Sequence, residues 1–315
     1  MKKSLVSVII PSYNYEDYIG ESIESVLNQD YQGEIEIVIV DDGSTDQSPE
    51  IIEEYARNHS NIKPVFHKKN KGIPYTFNTG LDKSEGEYIG ILSSDDIWFE
   101  SKVSKQIEAI KKSNKKVIWS EGMLIDDRSQ SMGATFSEAH NALEKKKSGD
   151  LFTELLCRNF IFGSSLLFHK EVVSNLRFCT NLKYLNDYLF FVQVAEDYDF
   201  EYLTEPLAGY RRHGTNATED FAEDIEYYRD RVAVREYFLD KYTNMSDKMR
   251  GYQHYKLSKY YSKNLREKGK SVKHLKYSIQ TDKRQIFNID VVIYLLLYDF
   301  PRIRRILSKF RQKIL

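Results

Sequence analysis

The chain has 315 residues, enough for one large α/β domain plus a further module, so its core needs no disulfide or structural metal to hold it. Two cysteines, Cys157 and Cys179, exclude a disulfide framework and lack metal-ligand spacing; they read as reduced, packed thiols of a cytoplasmic protein. The net charge of −1 points to neither nucleic acid nor membrane, yet residues 1–220 carry 24 Lys and Arg against 36 Asp and Glu, while residues 221–315 carry 22 against 11. An acidic half suits a metal site, and a basic half suits an anionic surface, whether lipid, partner or the acidic half itself.

The first apolar run stops at Pro11, too short for a signal peptide, and no stretch of about twenty apolar residues predicts a bilayer-spanning helix. Short β-branched runs at 5–10, 35–40, 62–66, 88–92 and 117–120 alternate with helical patterns. The first helix shows an apolar stripe of Ile19, Ile23, Val26 and Leu27, and the second opens at Ser48-Pro49, a capping residue followed by proline at the first helical position. This alternation predicts a doubly wound sheet, whose ligands bind beyond the carboxyl ends of the strands. A loop is expected over 126–149, then an apolar segment over 160–168, a helix beginning near Asp187, and a tyrosine-rich basic helical extension from Phe221 onward.

Three polar clusters follow predicted strand ends: Pro11-Ser12-Tyr13-Asn14, Asp41-Asp42-Gly43-Ser44-Thr45-Asp46, and Ser93-Ser94-Asp95-Asp96. Adjacent carboxylates repel unless a cation or donors offset them, so Asp95-Asp96 reads either as ligands for a hard divalent metal or as a helix cap beside a solvated charge. The Asp41–Asp46 stretch makes an ordinary strand-to-helix turn, or supplies an acceptor to a base edge or ribose hydroxyl. Tyr13 can stack on a base or simply pack. Asp187 opens a helix, where it reads as a cap or as a first-turn charge against the helix dipole. Arg211-Arg212-His213 can bind a diphosphate or lie solvated at a strand end.

Taken together, SVIIPSYNYEDYIGESIESVLNQDY, EIVIVDDGSTDQSPEII, the Asn70-Lys71-Gly72 and Asn78-Thr79-Gly80 steps, GEYIGILSSDD, Asn186-Asp187 and EPLAGYRRH resemble, in order and spacing, the family 2 glycosyltransferases of GT-A fold over residues 4–215. The resemblance implies a catalytic domain at 1–220, with a nucleotide-binding half at 1–120 and an acceptor half at 121–220, followed by the helical extension at 221–315. It further implies inversion at the anomeric carbon, Mn²⁺ or Mg²⁺ as cofactor, and a nucleotide-sugar donor, most simply a UDP-sugar. Position by position, it gives Pro11, Tyr13, Asp42 and Asp95 to the nucleotide, Asp96 and His213 to the metal, and Asp187 to the general base, while the forked guanidinium groups of Arg211 and Arg212 are expected at the diphosphate. Ser93 stands where many members have aspartate, and Asn186 where they have glutamate. The chain lacks the Gln-x-x-Arg-Trp pattern of processive synthases, so addition of one sugar to a glycan or lipid-linked acceptor is expected. The rival readings are a catalytically silent nucleotide-sugar-binding module and a sugar nucleotidyltransferase, which wants a glycine-rich basic loop where this chain has PSYNYED.

At the end of the chain, an apolar run at 291–298 precedes Ile303, Ile306, Leu307, Phe310 and Ile314 at helical spacing, interleaved with Arg302, Arg304, Arg305, Lys309, Arg311 and Lys313. This amphipathic basic pattern over 290–315 predicts either peripheral attachment to the inner face of the cell membrane, a packed core helix, or a homodimer contact.

Overall fold

A computed structural model describes residues 4–214 and 224–282, which fall into two compact units dividing between Glu219 and Asp220. The basic segment 290–315 lies outside the described residues. Among those described, no helix is long and apolar enough to cross a membrane.

The first unit is built on one mixed sheet. Strands β1 (Leu5–Ser12), β2 (Glu34–Asp41), β3 (Ile62–Phe66) and β4 (Tyr88–Ile91) lie parallel in the order β3-β2-β1-β4, with α1 (Ile19–Leu27), α2 (Ser48–Asn58) and α3 (Ile73–Lys83) as the crossovers between them. Val6, Val8, Ile9 and Ile10 are fully buried, which is why β1 reads as a continuous apolar run and not as an alternation: a central parallel strand is covered on both faces. The stripe of Ile19, Ile23 and Val26 buries the core face of α1. Ser48 departs from the expected cap. It is the first residue of α2, and its buried hydroxyl accepts the Tyr15 N–H instead at 3.0 Å.

Beyond β4 the order continues through β8 (Leu167–His169), β6 (Val117–Ile125), β9 (Phe200–Arg211) and β5 (Ile97–Trp98), with α4 (Lys102–Ser113) between β5 and β6. Strand β8 is antiparallel to both neighbours and β6 runs parallel to β9. The strand expected to end at Ser120 continues to Ile125 because Glu121 is taken inward: its carboxylate accepts Gly122 N and Ser137 N and pairs with Lys146 at 3.3 Å. The loop expected over 126–149 contains β7 (Ser131–Thr135), paired with β6, and the short α5 (Phe136–Ala139), opened by a Thr135–Glu138 capping box. Strand β7 lies largely exposed, so it carries no apolar alternation to announce it. Helix α6 (Phe152–Cys157) and helix α7 (Asn186–Asp197) complete the unit.

The second unit contains α8 (Ile225–Lys241), α9 (Asp247–Lys263) and α10 (Lys268–Thr281). Asp224 and Ser246 cap α8 and α9 by accepting Glu226 N and Met249 N. Val232, Leu257 and Tyr261 form its apolar contact between α8 and α9.

Candidate active site

The loop leaving β1 and the turn leaving β2 are laced into one rim. Asn14, at φ 57°, accepts Thr45 N with its side-chain oxygen at 2.8 Å while its own N–H donates to Ser44 Oγ at 2.9 Å. Asp41 accepts Gly43 N and Ser44 N, the turn chemistry expected of this motif. Gly43 has φ 75°, and a Cβ there would come within 2.8 Å of the Lys69 carbonyl carbon, so the close approach it permits is that of the 67–72 segment.

Asp42 holds that segment. Its buried carboxylate takes His67 Nδ1–H at 2.6 Å, Lys71 N at 2.9 Å and Gly72 N at 2.7 Å. The other ring nitrogen of His67, Nε2, lies 3.0 Å from the Thr79 hydroxyl, so with Nδ1 donating to Asp42 it is placed to accept that hydroxyl. Pro11 pairs with Val40 in the sheet, and Tyr13 beyond it is 41% exposed, a free aromatic face on the rim.

The expected acidic cluster divides. Asp96 is 2% exposed, with one carboxylate oxygen accepting Ser164 Oγ–H at 2.6 Å and the other accepting Arg211 N at 3.0 Å. Burial, then the neighbouring Asp95 charge, pushes its carboxyl well above the ordinary value. Asp95 is the more open of the two, and its carboxylate lies 3.3 Å from His213 Nε2. His213 sits between Tyr18, at 4.5 Å between ring centres, and the edge of Tyr15 at 6.0 Å. Tyr15 thus joins the base-side rim to the acidic cluster.

Arg211 corrects the expectation of a diphosphate ligand. Its side chain is fully buried and donates to Glu21 at 2.6 Å, to the Asp95 carbonyl at 2.6 Å and to Ser129 Oγ at 2.8 Å. With its fork committed to protein acceptors, it anchors the Asp95 backbone and does not face a ligand. Arg212 is exposed, and its N–H donates to Ile125 O at 2.9 Å.

Asp187 stands in the first turn of α7, partly buried. Its carboxylate accepts Tyr188 N at 2.6 Å and Asn159 Nδ2 at 3.3 Å, and burial carries its pKa up to about 6. Asn186, where the resemblance expects glutamate, is 3% exposed, and its side-chain amide donates to the Lys183 carbonyl at 3.5 Å. Asn159 and Tyr188 therefore hold the Asp187 carboxylate in place. Sequence reasoning missed His67, Asn159 and Ser164. Ser164 had a signal in Gly163-Ser164-Ser165, a polar break inside an apolar run; His67 and Asn159 had none. The segment that contains Asn159 and Ser164 touches both carboxylate sites, since one side chain meets Asp187 and the other Asp96.

A model of the family described as Glycosyl transferase family 2 matches residues 7–174. An uncharacterized glycosyltransferase of Rickettsia typhi is 32% identical over 245 residues, covering 76% of this chain and 73% of the relative. TuaG of Bacillus subtilis, named as a candidate teichuronic acid biosynthesis glycosyltransferase, is 42% identical over 106 residues, or 34% of this chain and 42% of that one. The crystal structure of S. aureus TarS 1–349 in complex with UDP-GlcNAc superposes with a TM-score of 0.63 at 20% identity, covering 88% of this chain and 81% of that one. That likeness establishes the fold, a curled mixed sheet of GT-A type.

Proposed function

The chain belongs to glycosyl transferase family 2, and from that premise we propose an inverting enzyme that moves one hexosyl or N-acetylhexosaminyl group from a UDP-sugar to a hydroxyl of a glycan or lipid-linked acceptor. TuaG, named for teichuronic acid, supports a surface-polysaccharide acceptor, and UDP-GlcNAc bound to TarS supports the donor class. The observation that carries the proposal is Asp187: a carboxylate held by two donors, partly open, with a pKa near 6. Such a group is ionised at neutral pH yet basic enough to take a proton from an attacking hydroxyl.

In this mechanism Tyr13 offers its exposed face to the base and Asp42 fixes the loop that closes the base pocket. Asp95 and His213 supply one carboxylate oxygen and one imidazole nitrogen at the rim, a donor set that fits Mn²⁺ or Mg²⁺ once diphosphate oxygens complete the shell. When bound, the metal would offset the negative charge that builds on the departing diphosphate. Among the described residues no group of three acidic, histidine or cysteine side chains is placed to hold a metal ion. In this reading Asp96, nearly inaccessible and held by Ser164 Oγ and Arg211 N, fixes the loop and leaves the cation to Asp95 and His213. Asp187 draws the acceptor proton as the acceptor oxygen bonds to the anomeric carbon and the diphosphate leaves from the opposite face. The basic tail 290–315 would keep the enzyme at the inner face of the membrane, beside a lipid-linked acceptor.

The test is a panel of UDP-, GDP- and dTDP-sugars assayed for donor hydrolysis and transfer, with Mn²⁺ and with chelator. Turnover of a UDP-sugar that chelator abolishes is the expected result. Binding without turnover on every donor would leave a silent module.

A further inference from the structure

The helical unit contains a seam of cations and phenol rings beside its apolar contact. Tyr227, Arg231 and Arg235 recur every four residues along α8, and Tyr252, Lys256 and Tyr260 do so along α9, so each row lies on one helix face. The rows face each other with the helices antiparallel. Arg231 donates to Tyr260 Oη at 3.0 Å and also to Tyr227 Oη, while Arg235 donates to Gln253 Oε1. The Arg231 guanidinium lies 4.5 Å from the Tyr227 ring centre and 5.5 Å from that of Tyr260. Arg235 is 5.5 Å from Tyr252, and Lys256 Nζ is 5.3 Å from the same ring.

Helix pairs ordinarily bury apolar side chains, as α8 and α9 do at Val232, Leu257 and Tyr261. Here cations alternate with phenol rings. Arg231 is partly buried, and its acceptors are two phenol oxygens; it meets no carboxylate among the described residues. Lys256, also partly buried, makes no ion pair or hydrogen bond among them. A guanidinium and an ammonium held near each other raise the local potential, and their unused N–H groups call for strong acceptors. Tyr260 registers that potential: burial alone would raise its pKa, but Arg235, Arg231 and Lys256 together bring it below the ordinary phenol value. Lys256 responds in the opposite sense, lowered by burial first and then by Arg235, Lys259 and Arg231, with Tyr260 opposing.

We propose that this seam is a docking site for an anionic glycan, with Arg231 and Lys256 taking its phosphate or carboxylate groups and the faces of Tyr227, Tyr252 and Tyr260 taking its sugar rings. Charge complementarity selects the anion. The interleaved aromatic faces select a ligand with ring C–H surfaces between its charges, which a free inorganic anion lacks. A lipid surface fits less well, because the two rows offer no aliphatic side chain to enter the acyl layer. Membership in a family that acts on sugars favours glycan over nucleic acid.

The probe is an oligogalacturonate, which bears a carboxylate on every ring, titrated calorimetrically into the full chain saturated with UDP and Mn²⁺. A maltooligosaccharide of equal length, a single-stranded oligonucleotide and anionic vesicles serve as comparison ligands. The oligogalacturonate is expected to bind in a salt-sensitive way, with Lys256→Gln weakening it about tenfold and the Arg231→Gln/Lys256→Gln double variant abolishing it. Because Lys256 has no hydrogen-bond partner among the described residues, its substitution should leave the melting temperature nearly unchanged, which keeps the test valid if the double variant misfolds. UDP-GlcNAc titrated into the nucleotide-free protein with Mn²⁺ reports the donor site separately, so failure of the seam and failure of the donor reading give different results. Equal binding of the neutral oligosaccharide, unchanged affinity in Lys256→Gln, absence of binding, or Lys256-dependent binding confined to the oligonucleotide or the vesicles would each overturn the proposal.

Discussion

The rim above β1, β2 and β4 and the start of α7 use the same side chain in opposite ways. On the rim, Asp41, Asp42 and Asp96 are nearly inaccessible, and their carboxylates accept donors of the protein's own backbone and side chains. At α7 the carboxylate of Asp187 stays partly open, and it is Asn186 beside it that is buried. In the 95–96 pair one aspartate is turned inward to fix loops while its neighbour remains at the surface of the site. The general point is that adjacent polar residues at a strand or helix end divide the work: one sets geometry, and the other meets a ligand.

Asp187→Asn puts the largest effect on the comparison. If the open carboxylate is the base, kcat should fall by about a hundredfold or more while calorimetry shows donor affinity nearly intact. A transfer rate close to that of the parent would remove the distinction between the two regions. Asp95 and Asp96 come next. Asp95→Ala should weaken metal-dependent donor binding about 10- to 100-fold with little change in melting temperature. Asp96→Ala should instead lower the melting temperature, because the Ser164 hydroxyl and the Arg211 N–H lose their acceptor at about 1–3 kcal/mol each. Exchanged outcomes would return Asp96 to the metal.

The pH profile sharpens the same contrast on a smaller scale. The Asp187 pKa is raised from 3.8 to about 6, so the group is protonated, and useless as a base, below that value. Turnover should therefore drop about tenfold per unit as pH falls below 6 and level off above about 7, and Asp187→Asn should lose this limb of the profile. A turnover profile flat down to pH 4 would exclude Asp187 as the titrating base.

Much of this was legible in the sequence because the signals were local. The parallel strands were continuous apolar runs, and the rim clusters lay directly after them, where topology puts ligands. What was hidden depended on contacts between residues distant in the chain. Nothing near Arg211 reveals that Glu21 and Ser129 will take its guanidinium, so a buried anchor read as a diphosphate ligand. Nor does local sequence tell which of Asp95 and Asp96 turns inward, since Ser164, some 70 positions away, decides it. Strand β7 and the second half of β6 escaped because exposed residues and a buried Glu121 broke the pattern on which strand prediction relies.

The smallest expected effect belongs to His67, and it tests whether the rim's inward carboxylates matter to binding or only to folding. His67→Phe keeps the ring volume but removes both the donor to Asp42 and the acceptor for the Thr79 hydroxyl. Asp42 retains Lys71 N and Gly72 N, so the segment should loosen without detaching. One hydrogen bond of this kind is worth about 0.5–1.5 kcal/mol net, which corresponds to a KM for the donor about 2- to 10-fold higher. Because the base at α7 is untouched, kcat should stay within about twofold, and His67→Asn, which restores a donor, should recover part of the loss. Steady-state kinetics on donor and acceptor separately will read this. A KM unchanged alongside a lower melting temperature would make Asp42 and His67 purely structural. A fall in kcat at constant KM would show that the rim and the start of α7 act as one unit, and the division of labour between them would have to be abandoned.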